Sequence, residues 1–122
     1  MNGFVYLASP YSRYVYGTEN AFREAAEATA ALIRAGYNTY SPIVHSHIVA
    51  HAGNFDPLDC EMWLKLDEPF MEAAVGIVVL MLEGWQESHG VAHEMEYFAR
   101  ADKPIVLMVP GEVPDMTGVF DG

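Results

Sequence analysis

The 122-residue chain is the length of one domain, 1–122, and too short for two. With 52% hydrophobic residues it can build a packed core, and a net charge of −11, from 17 acidic against 6 basic side chains, excludes a surface that attracts DNA or RNA. Its one cysteine, Cys60, excludes an internal disulfide. A single nucleotide stays admissible, because a local pocket can be positive within an acidic protein. A lone thiol suits a reducing cytosol, and the first strand-like run has no basic leader before it. The longest apolar run, Val75 to Leu82, is too short to cross a bilayer. A soluble, cytoplasmic protein with no membrane partner is therefore expected.

Phe4 to Ala8 reads as a short buried strand stopped by Ser9-Pro10. Thr18 to Ala35 has helical periodicity, with Phe22, Ala25, Ala26, Thr29 and Ile33 on one face, Thr18 as N-cap and Gly36 as the stop. Asn38 to Ile43 reads as a second strand, and the His-rich stretch 44–59 as a loop signalled by Gly53-Asn54 and Asp56-Pro57. Cys60 to Ala74 reads as a helix kinked or divided at Pro69. Gly76 to Leu82 is continuously apolar, which suits a central parallel strand covered on both faces. A loop from Gly84 to Gly90 leads into a helix reaching about Ala101, and Pro104 to Val109 is a fourth strand. Alternating strands and helices predict a flavodoxin-like (Rossmann-like) α/β fold: a parallel sheet of four or five strands with helices on both faces. Ligands of such sheets sit beyond the carboxyl ends of the strands, which selects Ser9 to Arg13, Ser41 to His47 and Glu83 to Glu94.

The third of these segments carries the most chemistry. Val91, Met95, Phe98 and Ala99 form the helix's core stripe, and Glu94 borders it, about two turns in. Ser88 and Gly90 offer a hydroxyl and free backbone N–H groups at the helix start, a natural anion site. Gly90 also admits a close-lying ligand. Each has a plainer alternative: Glu94 serving the helix dipole, Ser88 an N-cap, Gly90 a turn.

The order of segments is more specific than any one of them. Tyr6-Leu7-Ala8-Ser9-Pro10-Tyr11 at the first strand end, Asp67 before the central strand, and Ser88-x-Gly90-x3-Glu94 after it together resemble the nucleoside 2-deoxyribosyltransferase superfamily over roughly residues 4–109. The chain looks closest to a small uncharacterised bacterial and phage family within it, marked by Ser41-Pro42-Ile43-x-His45-Ser46-His47 and Leu82-x-Gly84-Trp85-x2-Ser88-x-Gly90-Val91-x2-Glu94.

The resemblance implies that Glu94 attacks the anomeric carbon of a deoxyribose and displaces the base. A facing carboxylate stabilises the oxocarbenium-like transition state and then forms a glycosyl ester that water or a second base resolves. Glu94 must be ionised to attack, which a helix N-terminus favours. Asp67, with Glu68 as substitute, would supply a proton to the leaving base. Tyr11 resembles the tyrosine that orients the nucleophile. Ser88 stands where deoxynucleoside 5'-phosphate N-hydrolases carry a phosphate-binding serine and many base-exchanging transferases carry an aspartate, so hydrolysis is preferred. Ser9 belongs to the substrate-binding set, Arg13 would reach the same phosphate, and His45 and His47 would contact base or sugar. No cofactor is expected. The resemblance also implies a homo-oligomer, dimer or tetramer, with residues 112–122 completing a neighbour's site.

Two departures stand out: Glu96-Tyr97 follow Met95 where the family has glycine and an aliphatic face, and Ala74-Val75-Gly76 replace its Ala-Asp. They point to a changed substrate, or to nucleotide binding without turnover. Two alternatives follow: a non-catalytic sensor of a nucleotide or nucleotide-sugar, and a metal hydrolase using His45, His47 and His51 with Asp56 or Asp59. His89 and His93 are expected to be exposed.

Overall fold

The computed structural model describes residues 1–120. Four strands, β1 (Val5–Ala8), β2 (Thr39–Tyr40), β3 (Gly76–Leu80) and β4 (Ile105–Met108), pair in parallel in the order β2-β1-β3-β4. Four helices join and cover them: α1 (Thr18–Arg34), α2 (Pro42–Gly53), α3 (Cys60–Ala73) and α4 (His89–Arg100). This is the expected α/β, flavodoxin-like arrangement, and the chain direction across the sheet switches between β1 and β3. Among the described residues, no helix is long and apolar enough to cross a membrane.

The two central strands are buried throughout. Strand alternation sends Val5, Leu7, Val78 and Leu80 into one core layer with Leu32 of α1, and Tyr6, Ala8, Ile77 and Val79 into the other with Met71, Val91 and Phe98. Tyr6 thus lies on the side of α3 and α4. Met116 and Phe120 of the C-terminal segment return to the first layer. Asp121 and Gly122, the end of the segment expected to complete a neighbour's site, lie outside the described residues.

Several sequence expectations are corrected. The second strand stops at Tyr40, and Ser41-Pro42 opens α2, where a strand end and a His-rich loop were expected. The Ser41 hydroxyl accepts from the Val44 N–H at 3.2 Å and Pro42 is the first helical residue. Both are helix-start signals hidden by the apolar run that follows. In α1 the buried stripe is Ala21, Ala25, Ala28 and Leu32, while Ile33 is exposed and Phe22, Ala26 and Thr29 are half-buried. An alanine-rich helix leaves its face undetermined until small residues settle against the sheet. Gly17, not Thr18, precedes its first turn, whereas Gly36 ends it at φ +96°. Helix α3 continues through Pro69, which is exposed and removes a bond only near the last turn. Ala99 is exposed and Glu94 takes its place in the α4 stripe.

Candidate functional site

Beyond the carboxyl ends of β1 and β3 lies a cleft that is open to solvent at its mouth. Ser9 and Tyr11 border it after β1, Ser46 from α2, Trp63 and Asp67 from α3, and Ser88, Gly90 and Glu94 at the start of α4. The sequence candidates from three separate segments therefore converge on one place.

Glu94 is buried because it shares the α4 face of Val91 and Phe98, at spacings of three and four residues. The Tyr6 hydroxyl donates to its Oε2. Burial pushes the Glu94 carboxyl up to about 8, against the Tyr6 bond that lowers it, and the Asp67 charge adds a further rise. The helix N-terminus does not keep it ionised as expected; desolvation outweighs it. Tyr6, itself buried beside two carboxyls, is held well above the ordinary phenol range and remains a proton donor.

Asp67 is 4% exposed, and burial raises it to about 6 while a Tyr40 hydrogen bond at 3.3 Å lowers it. Tyr6 and Tyr40 are register partners on neighbouring strands, with ring centroids 6.0 Å apart. Each phenol serves one carboxyl. Glu68 is exposed and does not line the cleft.

At the anion end, the Ser88 hydroxyl caps α4 by accepting from the Val91 N–H at 3.3 Å, and still lines the cleft. A Cβ added at Gly90 would meet nothing within 4 Å, so a ligand can approach that backbone. The Ser9 hydroxyl is buried, with no hydrogen-bond partner among the described residues, and is available to a ligand. Among the described residues, no lysine or arginine lines the cleft.

Four expected residues sit elsewhere or do something else. Tyr11 does not hold Glu94: its hydroxyl lies 2.7 Å from His47 Nδ1, while Tyr6 takes the role expected of it. His47 is buried behind the wall, stacked on Phe22 at 4.3 Å, with Nε2 3.0 Å from Glu19. Both of its ring nitrogens are therefore engaged away from the cleft. His45 is exposed beside Tyr40 and Phe70 and does not line the cleft. Arg13 is exposed outside it. For the two histidines the reason is shared: once 42–53 is helical, Ser46 faces the cleft and its histidine neighbours do not. Among the described residues, no three His, Cys, Asp or Glu side chains are grouped to hold a metal ion. His89 and His93 are exposed, as expected.

Sequence reasoning assigned no role to Tyr6, Tyr40, Ser46 or Trp63. Tyr6 was recoverable, since alternation between inward Val5 and Leu7 places it on the opposite side of the sheet. Trp63 is placed by a bond back across the turn before α3, its Nε1 donating to the Asp56 carbonyl at 2.8 Å.

A family model described as a domain of unknown function, DUF1937, matches residues 3–110. The chain belongs to the DUF1937 family. The matched span contains every cleft residue named above, so the cleft lies wholly within the DUF1937 domain. Among curated proteins, none matches the chain.

Proposed function

We propose that this DUF1937 protein cleaves or transfers the N-glycosidic bond of a deoxynucleoside or a deoxynucleoside 5'-monophosphate, with Glu94 as nucleophile. One observation carries the reading: two buried carboxyls, Glu94 and Asp67, face one cleft at the sheet's switch point, each tied to a phenol. The motif order resembling nucleoside 2-deoxyribosyltransferases supports it. Glu94 attacks the anomeric carbon as the C–N bond breaks, and Asp67 gives its proton to the departing base. Water or an acceptor base then attacks the glycosyl ester, Asp67 takes back a proton, and Glu94 leaves as a carboxylate. Tyr6 holds Glu94 by its donated bond. A 5'-phosphate would rest on the Ser9 and Ser88 hydroxyls and the backbone at Gly90, without a cationic side chain.

With Asp67 near 6 and Glu94 near 8, the pair holds one proton between those values, mostly on Glu94, and turnover uses the minor arrangement that places it on Asp67. Below about 6 both carboxyls are protonated and above about 8 neither is, so that arrangement is most populated between the two values. Base release, followed by chromatography over a panel of deoxynucleosides and monophosphates, is therefore expected to peak near neutral pH. Glu94→Gln should lower it by about a thousandfold or more. A folded wild-type protein that releases no base from any member of the panel would defeat the proposal.

A second reading, nucleotide binding without turnover, is favoured by the raised Glu94 value, since a neutral carboxyl is a hydrogen-bond donor and a poor nucleophile. Tight binding of an uncleaved nucleoside by wild type would select it.

A further inference from the structure

Tyr40 has a single proton and two neighbours able to accept it. Its hydroxyl lies 3.3 Å from Asp67 Oδ1 and 3.3 Å from His45 Nδ1. It can donate to only one of them, so both contacts are satisfied together only where the other neighbour donates to it. Two arrangements satisfy the three groups and contain the same number of protons. In one, His45 is an imidazolium donating from Nδ1 to Tyr40, which donates to an Asp67 carboxylate. In the other, Asp67 is a neutral acid donating to Tyr40, which donates to Nδ1 of a neutral His45.

From this geometry we infer that His45 and Tyr40 form a proton relay between solvent and Asp67, loading the acid of the proposed reaction from outside the cleft. The transfer balances: the His45 Nδ1–H bond breaks as a proton joins the Tyr40 oxygen, and the proton Tyr40 held joins Asp67 Oδ1. His45 is exposed, Tyr40 half-buried and Asp67 buried, so the chain runs inward from the surface. Neither His45 nor Tyr40 lines the cleft, so a bound ligand leaves the path open. The rings are held in place, Tyr40 stacking on Phe70 at 4.3 Å and an interplanar angle of 7°, with His45 6.5 Å from the same ring. The other ionisable groups that bear on Asp67 and Tyr40 are Glu94 from α4 and Tyr6 from β1, and neither reaches solvent by this route.

The inference rests on the proposed acid role of Asp67, and its first test does not need activity. Carbon-13 NMR of the Asp67 carboxyl over a pH titration should show a second inflection where His45 titrates. Tyr40→Phe should remove that inflection while circular dichroism shows the fold intact. If Asp67 and His45 titrate independently in wild type, the relay is overturned, whether or not any base is released. The second test uses turnover. His45→Ala should slow base release about tenfold, added imidazole should restore it, and Tyr40→Phe should be slowed without rescue. Unchanged rates in both variants of a working enzyme would also overturn the relay. Absence of base release from every variant, with coupled titrations intact, would instead remove the glycosidic reading and leave the relay standing.

Discussion

A carboxyl held near 8 inside a core is a liability to the fold before it is an asset to chemistry. In the unfolded chain Glu94 ionises near 4.5, whereas in the folded protein it keeps its proton to about 8. The unfolded state therefore binds fewer protons between those values, and stability falls as pH rises through the window and levels off above it. Asp67, moved from 3.8 to about 6, acts in the same direction over a lower window. Glu94→Gln retains an oxygen to accept from Tyr6 and has no charge to bury. Its stability relative to wild type, read from melting curves, should rise as pH goes from 5 to 9, by on the order of a few kcal/mol. Parallel melting curves across that range would show that Glu94 is not desolvated as described. The residues of this site were only half legible in the sequence. Glu94, Ser88 and Gly90 were candidates from their place after the central strand and Asp67 through the resemblance, but Tyr6 and Tyr40 were not candidates at all. Their roles depend on which side of the sheet they face and which helix lies there. His47 illustrates the reverse case: its chemistry suggested a ligand contact, and burial turned it toward Tyr11 and Glu19.

At the scale of elements, β3 shows how tightly the sheet's entry end is packed. A Cβ at Gly76 would lie 2.8 Å from the Pro104 carbonyl oxygen and would collide with the Phe120 ring. A backbone oxygen in a neighbouring strand cannot yield as a side chain can. Gly76→Ala should therefore destabilise the fold by about 1–3 kcal/mol, read from denaturant midpoints, and pairing it with Phe120→Ala should recover only part of that loss. The elements themselves were mostly legible: β1, β3, α3, α4 and β4 were placed to within a few residues. The failure at 42–53 has a physical source. Pro-Ile-Val satisfies a strand's composition, and only the Ser-Pro cap, whose hydroxyl must reach the third following N–H, marks a helix.

The molecule as a whole carries a field that bears on its ligand. A chain of net charge −11 repels a phosphate dianion at long range, and no lysine or arginine lines the cleft to reverse that locally. Screening shrinks from about 30 Å at 0.01 M salt to about 8 Å at 0.15 M. Affinity for a deoxynucleoside 5'-monophosphate should thus rise with salt over that range, while affinity for the neutral deoxynucleoside stays nearly flat. Calorimetric titration of both ligands at the two salt concentrations tests this; a monophosphate affinity that falls with salt would mean that a cation reaches the phosphate after all.

Strand β2 is two residues long, and its Tyr40 stands level with Tyr6 of β1. Pleating makes that alignment all-or-nothing: sliding β2 by one position turns Tyr40 to the opposite side of the sheet, away from Asp67. Asp67 can therefore lose its phenol from a distance, by any change in the turn before Thr39 that favours the slipped ladder, with the cleft's own lining unaltered.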